Sequence, residues 1–294
     1  QRAVEYKRYN REINSLIKNT SQSLFNLVEM IPFLDGMRNA LLINDSNRIN
    51  AIFDSHWPLL QFHNNVEFVH FYNSESQLTA SWDSLEVSTS DLALITNWAI
   101  QVNQSEQPIS PLLCKESCIQ YIAAPLLVGG KKSGVVVMGI SLADVLLAFK
   151  SITGADIGLL LEKDQNSTAQ HDFDFLRWNV YIPALTNKDQ NQEILERAAD
   201  FFPDMQILNT GIHFRTNQQF HQLKLFPLDS YESDKAHLIV ITDVTAAVNN
   251  IHNSIWKIAL IGLLGLIFAE ILLFLIFTRL LAKLKDVVSA LPLL

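Results

Sequence analysis

The twenty residues from Ile258 to Phe277, IALIGLLGLIFAEILLFLIF, carry a single ionisable group. In a helix rising 1.5 Å per residue they span about 30 Å, the thickness of a bilayer's hydrocarbon core. The alternative is a buried core helix, but apolar runs of this length are rare in soluble folds. The segment is therefore read as a membrane span, and the rest of the chain is arranged around it. Trp256 and Lys257 stand at one end, and Arg279, Lys283 and Lys285 at the other. The denser basic flank follows the span, so the positive-inside rule places the C-terminus in the cytoplasm and residues 1–255 outside.

Glu270, inside the span, is costly as a charge facing lipid and should be protonated, paired or set against another helix. Ala259, Gly262, Leu266, Ala269 and Leu273 recur at steps of three and four, a seam with small residues that suits close helix contact beside Glu270. A homodimer is the natural reading; a chance scatter of small residues is the other. The opening QRAVEYKRYNRE is neither a signal peptide nor a first span. An upstream membrane segment and a cytoplasmic continuation are therefore expected, the latter because the helical pattern through Leu281, Leu284, Val288 and Leu291 stops without a cap.

Charge sorts the partners. Lys and Arg number 22 and Asp and Glu 30; residues 256–294 hold four of the basic and two of the acidic groups, leaving 18 against 28, a net −10, on residues 1–255. A phosphate backbone is repelled by such a surface, so nucleic acid is not an expected partner. At 49% hydrophobic and 18% charged, the chain is far from disordered and has ample apolar surface for a core.

Before the span, apolar spacing predicts a long amphipathic helix over residues 4–31 and a second over 48–62. Glu67–Asn73 and Leu78–Trp82 read as a hairpin, residues 90–102 as a helix, and Cys118–Val128 with Val135–Ile140 as a hairpin turned by GGKKSG. Leu142–Ile152 makes a connecting helix. The order then recurs: strands at Ala155–Leu161 and Trp178–Ile182, a helix at Gln190–Phe202, and a last hairpin, Gln219–Pro227 with Ala236–Thr242, around DSYESDK. The fold class is α+β with antiparallel sheets. Residues 243–256 run from the last strand toward the membrane without Pro or Gly, so a movement of that strand can reach the span as a piston or a rotation.

A long helix, two successive sheet modules, a membrane helix and a cytoplasmic continuation resemble the double Cache (PAS-like) sensory domains of bacterial transmembrane receptors. LLCKESCIQYIAAPLLVGGKKSGVVVMGISLADVLLAFKSITGADIGLLL (residues 112–161), ITDVT (241–245) and ALPLL (290–294) are similar to sensor regions that precede GGDEF and EAL cyclic-di-GMP modules. The resemblance implies a bacterial inner-membrane receptor with residues 1–255 periplasmic. It divides the chain into a signalling helix (1–35), a membrane-distal module (36–150), a membrane-proximal module (151–245), a juxtamembrane helix (246–256), the span (257–278) and a cytoplasmic linker (279–294). It further implies a small-molecule ligand in the distal module, relay through the proximal one, and a dimer as the working unit. The distal module lacks the Tyr, Arg, Trp-Tyr and Asp order of the best-known amino-acid-binding Cache pattern. A histidine kinase or chemoreceptor output is the alternative to cyclic-di-GMP turnover.

Catalysis requires activated nucleophiles, acid–base pairs or metals. The chain has no GxSxG, HExxH, Walker loop or CxxC, so no catalytic residue and no cofactor is expected. His56, His63 and His70 run from a helix into a strand and need not share a face, so no metal site is expected. Cys114 and Cys118 are the only cysteines. In an oxidising compartment they can close a disulfide if their Cα atoms lie within about 7 Å, as a helical turn permits; free thiols and a redox switch are the other states. For a ligand pocket, Trp57, His70, Tyr72, Trp82, Trp98, Gln120 and Tyr121 supply aromatic walls and hydrogen-bonding groups near the distal sheet. A receptor ectodomain is the leading reading. A periplasmic protein-interaction module predicts instead an exposed apolar patch, and a membrane-anchored enzyme has no motif.

Overall fold

A computed structural model describes residues 2–84, 88–163, 174–217, 219–231 and 236–289. Helix α1 (Arg2–Met30) passes through a 3-10 turn (Ile31–Phe33) to α2 (Met37–Leu42), α3 (Ser46–Phe53) and α4 (Trp57–Asn64). Strands β1 (Val66–Tyr72) and β2 (Leu78–Asp83) precede α5 (Thr89–Ser105), followed by β3 (Leu112–Cys114), β4 (Cys118–Val128) and β5 (Lys131–Ser141). Helix α6 (Ala143–Thr153) leads to β6 (Asp156–Glu162), β7 (Asp174–Phe175), β8 (Val180–Leu185) and α7 (Lys188–Phe201). A second 3-10 turn (Met205–Thr210), β9 (Ile212–Thr216), β10 (Gln219–Pro227), β11 (Ala236–Asp243) and α8 (Thr245–Ser289) complete the order.

The strands form two sheets, one in the order β2-β1-β5-β4-β3 and one in the order β7-β8-β6-β11-β10-β9, labelled distal and proximal after the expected modules that contain them. Every pairing with a described register is antiparallel. This is the α+β class that the sequence implies. Both faces of each sheet are covered, which explains why β1 and β5 read as continuous apolar runs rather than alternating ones. On one face of the distal sheet, Leu24 and Val28 of α1 join Met37, Ile49, Phe53, Val69, Phe71 and Met138; on the other, Ile95, Trp98 and Val102 of α5 meet Phe68, Tyr72, Tyr121 and Val137. Helix α1 also serves the proximal sheet, where Tyr9 and Ile13 pack with Phe149 of α6 and Leu159 and Leu238. At 29 residues, about 44 Å, it is long enough to serve both. Helix α7 closes the far side of the proximal sheet through Ile194, Leu195 and Ala198.

Several boundaries depart from the expected ones. The helix expected over 48–62 is broken between Phe53 and Trp57. Pro58 has no N–H to donate to the Asp54 carbonyl, and in a continuous helix its ring would collide with that carbonyl. The reversal expected at GGKKSG uses only Gly129 and Gly130, at φ of 61° and 75°, so β5 starts four residues earlier than Val135. Gly134, at φ 142°, marks an irregularity in the strand, since a Cβ there would stand 2.1 Å from the Tyr72 carbonyl oxygen. Strands β3, β7 and β9 were not expected. The DSYESDK loop is described only for residues 229–231, and ALPLL lies outside the described residues.

The chain divides into two compact units, residues 1–216 with 222–242, and residues 217–221 with 243–294. The first holds both sheet cores. The second contains α8, whose first turn is tied by Thr245, which accepts from the Phe220 N–H at 2.8 Å, and by Asp243, which accepts from the Thr245 N–H at 2.8 Å. A hydrogen bond from the Thr245 side chain, with that from its N–H and the charge of His221, outweighs burial and holds the Asp243 carboxyl below the usual aspartate range. Helix α8 is long and apolar enough to cross a membrane.

Candidate ligand site in the distal module

Alternation along β1 puts Phe68, His70 and Tyr72 on the face that α5 covers. Ring contacts run across that face: Phe68 to Tyr121 at 4.8 Å, Phe68 to His70 at 5.2 Å, and Tyr121 to Trp98 at 5.0 Å. Tyr72 donates its hydroxyl hydrogen to Thr96 Oγ1 at 3.2 Å, because that oxygen's own hydrogen goes to the Leu92 carbonyl. Burial raises the Tyr72 phenol above its usual range, with the hydrogen bond it shares with Thr96 acting against it. The Tyr121 phenol is pushed up by burial first and by the charges of Asp91 and Asp83 second.

A cleft of about 780 Å³ opens beside this aromatic face, lined by Phe68, Tyr121, Leu113 and Ile119 and by the polar groups of Glu67, Ser88, Ser90, Asp91, Lys115, Glu116 and Ser117. Ser88 caps α5, accepting from the Asp91 N–H at 3.2 Å. The cap sets the Asp91 carboxylate at the rim, where it pairs with Lys115 of the β3–β4 turn. Glu67, Asp91 and Glu116 face one lysine, so the cleft is acidic. Burial, followed by the charge of Asp144, lifts the Glu67 carboxyl above the usual glutamate range.

The β3–β4 turn is closed by a Cys114–Cys118 disulfide with the Cα atoms 4.1 Å apart. The two residues are direct cross-strand partners at the end of a hairpin rather than neighbours on a helical turn. The same turn supplies Glu116 and Ser117 to a second cleft of about 580 Å³, whose other walls come from α6, β8 and α7. There burial, aided by the charge of Glu116, pushes the Tyr181 phenol up to about 12.

Of the seven residues proposed from the sequence, the structure brings His70, Tyr72, Trp98 and Tyr121 together. Trp57 and Trp82 lie against the opposite face, where Trp82 packs on Phe53 at 4.5 Å and donates Nε1–H to Asp54 at 2.8 Å. Gln120 alternates with Tyr121 and points away from α5, its amide donating to Ser110 Oγ at 2.8 Å. Sequence reasoning missed Phe68, Glu67, Asp91, Lys115 and Glu116. Phe68 was signalled by its two-residue spacing from His70, and Asp91 by its place three residues after the cap Ser88. No group of His, Cys, Asp and Glu suited to a metal occurs among the described residues.

In α8, Ala259, Gly262, Leu266, Ala269, Glu270 and Leu273 fall within an arc of about 100° on an ideal helix. A Cβ added at Gly262 would meet open space.

A family model described as a double sensory domain of two-component sensor kinases matches residues 3–248. No curated protein matches the chain. Similar solved structures include a domain of a sensory box/GGDEF family protein from Vibrio parahaemolyticus, at 11% identity and a TM-score of 0.44, covering 82% of this chain and 95% of that one. The ligand-binding domain of the Pseudomonas fluorescens chemoreceptor CtaA, in complex with L-serine, is 11% identical with a TM-score of 0.40, covering 83% and 99%. That of the Pseudomonas aeruginosa chemoreceptor PctB, in complex with L-Arg, is 14% identical with a TM-score of 0.38, covering 84% and 91%.

Proposed function

The chain belongs to the double sensory domains of two-component sensor kinases, and from that premise we propose that residues 1–255 are the periplasmic sensor of a bacterial inner-membrane receptor. The distal cleft binds a small molecule, and the change is relayed through the proximal module and α8 to a cytoplasmic output. The observation that carries the reading is the cleft itself, where an aromatic wall of Phe68 and Tyr121 stands under a rim of Glu67, Asp91, Lys115 and Glu116. Apolar walls with a few convergent charges are what a small-ligand site requires. Three carboxylates against one ammonium favour a ligand that carries a positive group.

The test is a melt series on the full chain in detergent against amino acids, carboxylates, amines, purines and peptides. A ligand at 100 times its dissociation constant stabilises the fold by about 2.7 kcal/mol. A flat panel overturns the reading.

The receptor works as a homodimer whose α8 helices meet along Ala259, Gly262, Leu266 and Ala269, with Glu270 set against the partner helix rather than lipid. The output is cyclic-di-GMP turnover. Gly262→Leu should weaken crosslinking between α8 helices and decouple the cellular cyclic-di-GMP level from the ligand. An unchanged level, with a ligand that still binds, argues for a kinase or chemoreceptor output.

A second reading, docking of a periplasmic protein, is favoured by Met30, Phe33, Leu42 and Ile43 on α1, the first 3-10 turn and α2. These side chains are exposed, Phe33 to 87%, and exposed apolar groups in neighbouring segments suit a protein partner. Phe33→Asp should abolish capture of that partner and leave ligand binding intact.

A further inference from the structure

Of the buried polar atoms without a partner among the described residues, two sit directly behind the aromatic wall of the cleft. His70 is 1% exposed and its Nε2–H donates to Asp83 Oδ1 at 2.7 Å. In the tautomer with its proton on Nε2, the ring offers Nδ1 as an acceptor. Nδ1 has no hydrogen-bond partner among the described residues. Trp98 is also 1% exposed, and its Nε1–H, which can only donate, has none among them either. Buried polar atoms are nearly always paired, so two orphans on one face of one sheet demand a cause.

Both stand one ring behind the cleft. Phe68 and Tyr121 line it; His70 packs against Phe68 and Trp98 against Tyr121. The rings of Phe68 and Tyr121 thus stand between these residues and the cleft. Phe68 rests on Gly139, where a Cβ would lie 2.2 Å from the ring's Cε1, so the missing side chain of Gly139 is what lets Phe68 lie flat over the site. Phe68 and Tyr121 are themselves buried, so access to the two atoms requires their rings to turn to another rotamer.

Resting on the reading of this cleft as the ligand site, we propose that the ligand passes the Phe68–Tyr121 pair and is recognised by His70 Nδ1 as acceptor and Trp98 Nε1–H as donor. It is then a small molecule bearing both a donor, an ammonium or hydroxyl, and an acceptor, a carboxylate or carbonyl, on one compact skeleton. Asp83 acts as a positioning residue that holds the His70 tautomer. Trp98 also meets Tyr231 edge-on at 5.3 Å, and the Tyr231 N–H bonds the Leu112 carbonyl at 2.7 Å. A ligand that moves Trp98 therefore acts directly on the β10–β11 loop of the proximal module.

The experiment uses the full chain in lipid nanodiscs. The probes are alanine and lactate, which carry both groups, isopropylamine and isobutyrate, which carry one each, and any compound that raises the melt in the wider panel. Probes with both groups should bind and those with one should not. Trp98→Phe, which keeps the ring and removes the donor, and His70→Phe should each weaken binding ten-fold or more. Should His70→Phe fail to fold, the ¹⁵N shift of Nδ1 in the wild-type chain is the second measure, and it should move on adding the probe. A probe that binds both variants as it binds the wild type, or equal binding by one-group probes, overturns this inference and leaves the cleft as a receptor site. No binding by any compound overturns both.

Discussion

On the proximal sheet, the acidic group at the start of β6 is saturated. Asp156 takes Lys150 of α6 at 2.7 Å, the Thr186 hydroxyl at 2.8 Å and the Asn187 amide at 3.2 Å. On the distal sheet, His70 and Trp98 are buried more deeply and each keeps one ring nitrogen unpaired. A saturated polar cluster fixes one arrangement of helix on strand, while an unsaturated one leaves free energy for a ligand to recover. The contrast is between these two sites rather than between the two sheets, since Asp174 Oδ1, Thr216 Oγ1 and His237 Nδ1 of the proximal sheet are likewise buried without a partner among the described residues.

The largest effect should come from the proximal core. Phe149→Ala removes a fully buried ring and should cost about 3–5 kcal/mol in denaturant unfolding. A comparable loss from Trp98→Phe would break the comparison, since that change trims a buried ring without emptying its site and should cost distinctly less. Asp156→Asn comes next, at about 1.5–3 kcal/mol for hydrogen bonds to a charged group. Burial pushes its carboxyl up, but hydrogen bonds from Lys150, Thr186 and Asn191 and the Lys150 charge outweigh it and hold the group below its usual range. A depressed folded value means that this stability is present above the ordinary aspartate value and is lost as pH falls through the folded one. Acid melts of wild type and variant should converge there.

Replacing both Cys114 and Cys118 by Ser should cost about 2 kcal/mol, the chain-entropy value for a five-residue loop. If the turn positions Lys115 at the rim, ligand affinity should fall as well, and calorimetry would separate the two effects. Glu67→Gln should have the smallest effect and the opposite sign. Its raised folded value means that its share of stability is present below the ordinary glutamate value and is lost as pH rises through the folded one. The variant should therefore melt slightly higher at neutral pH. A cationic ligand should bind the wild type better as pH rises through that value, with proton release measurable in two buffers.

The long amphipathic helix, both hairpin modules and α8 were readable because their signals are periodic and local. The break before Pro58 was written in one residue but overruled by the apolar spacing around it. Strands β3 and β9, at three and five residues, are too short to show a period. In the site, Phe68 and Asp91 had local cues, whereas Lys115 and Glu116 had none, since a charged turn reads as a solvated loop. Trp57 and Trp82 were grouped with Trp98 because composition does not say which face of a sheet a side chain takes.

The sequence by itself determined a helix apolar and long enough to cross a membrane, the α+β class and the acidic charge of residues 1–255, all of which follow from apolar periodicity and charge counts along neighbouring residues. Only the tertiary structure decided that β1 turns His70 toward α5, that Trp98 stands behind Tyr121, and that a disulfide-closed turn supplies both clefts. Those facts depend on strand register, where a shift of one residue reverses every side chain, and register is set by contacts between residues far apart in the chain.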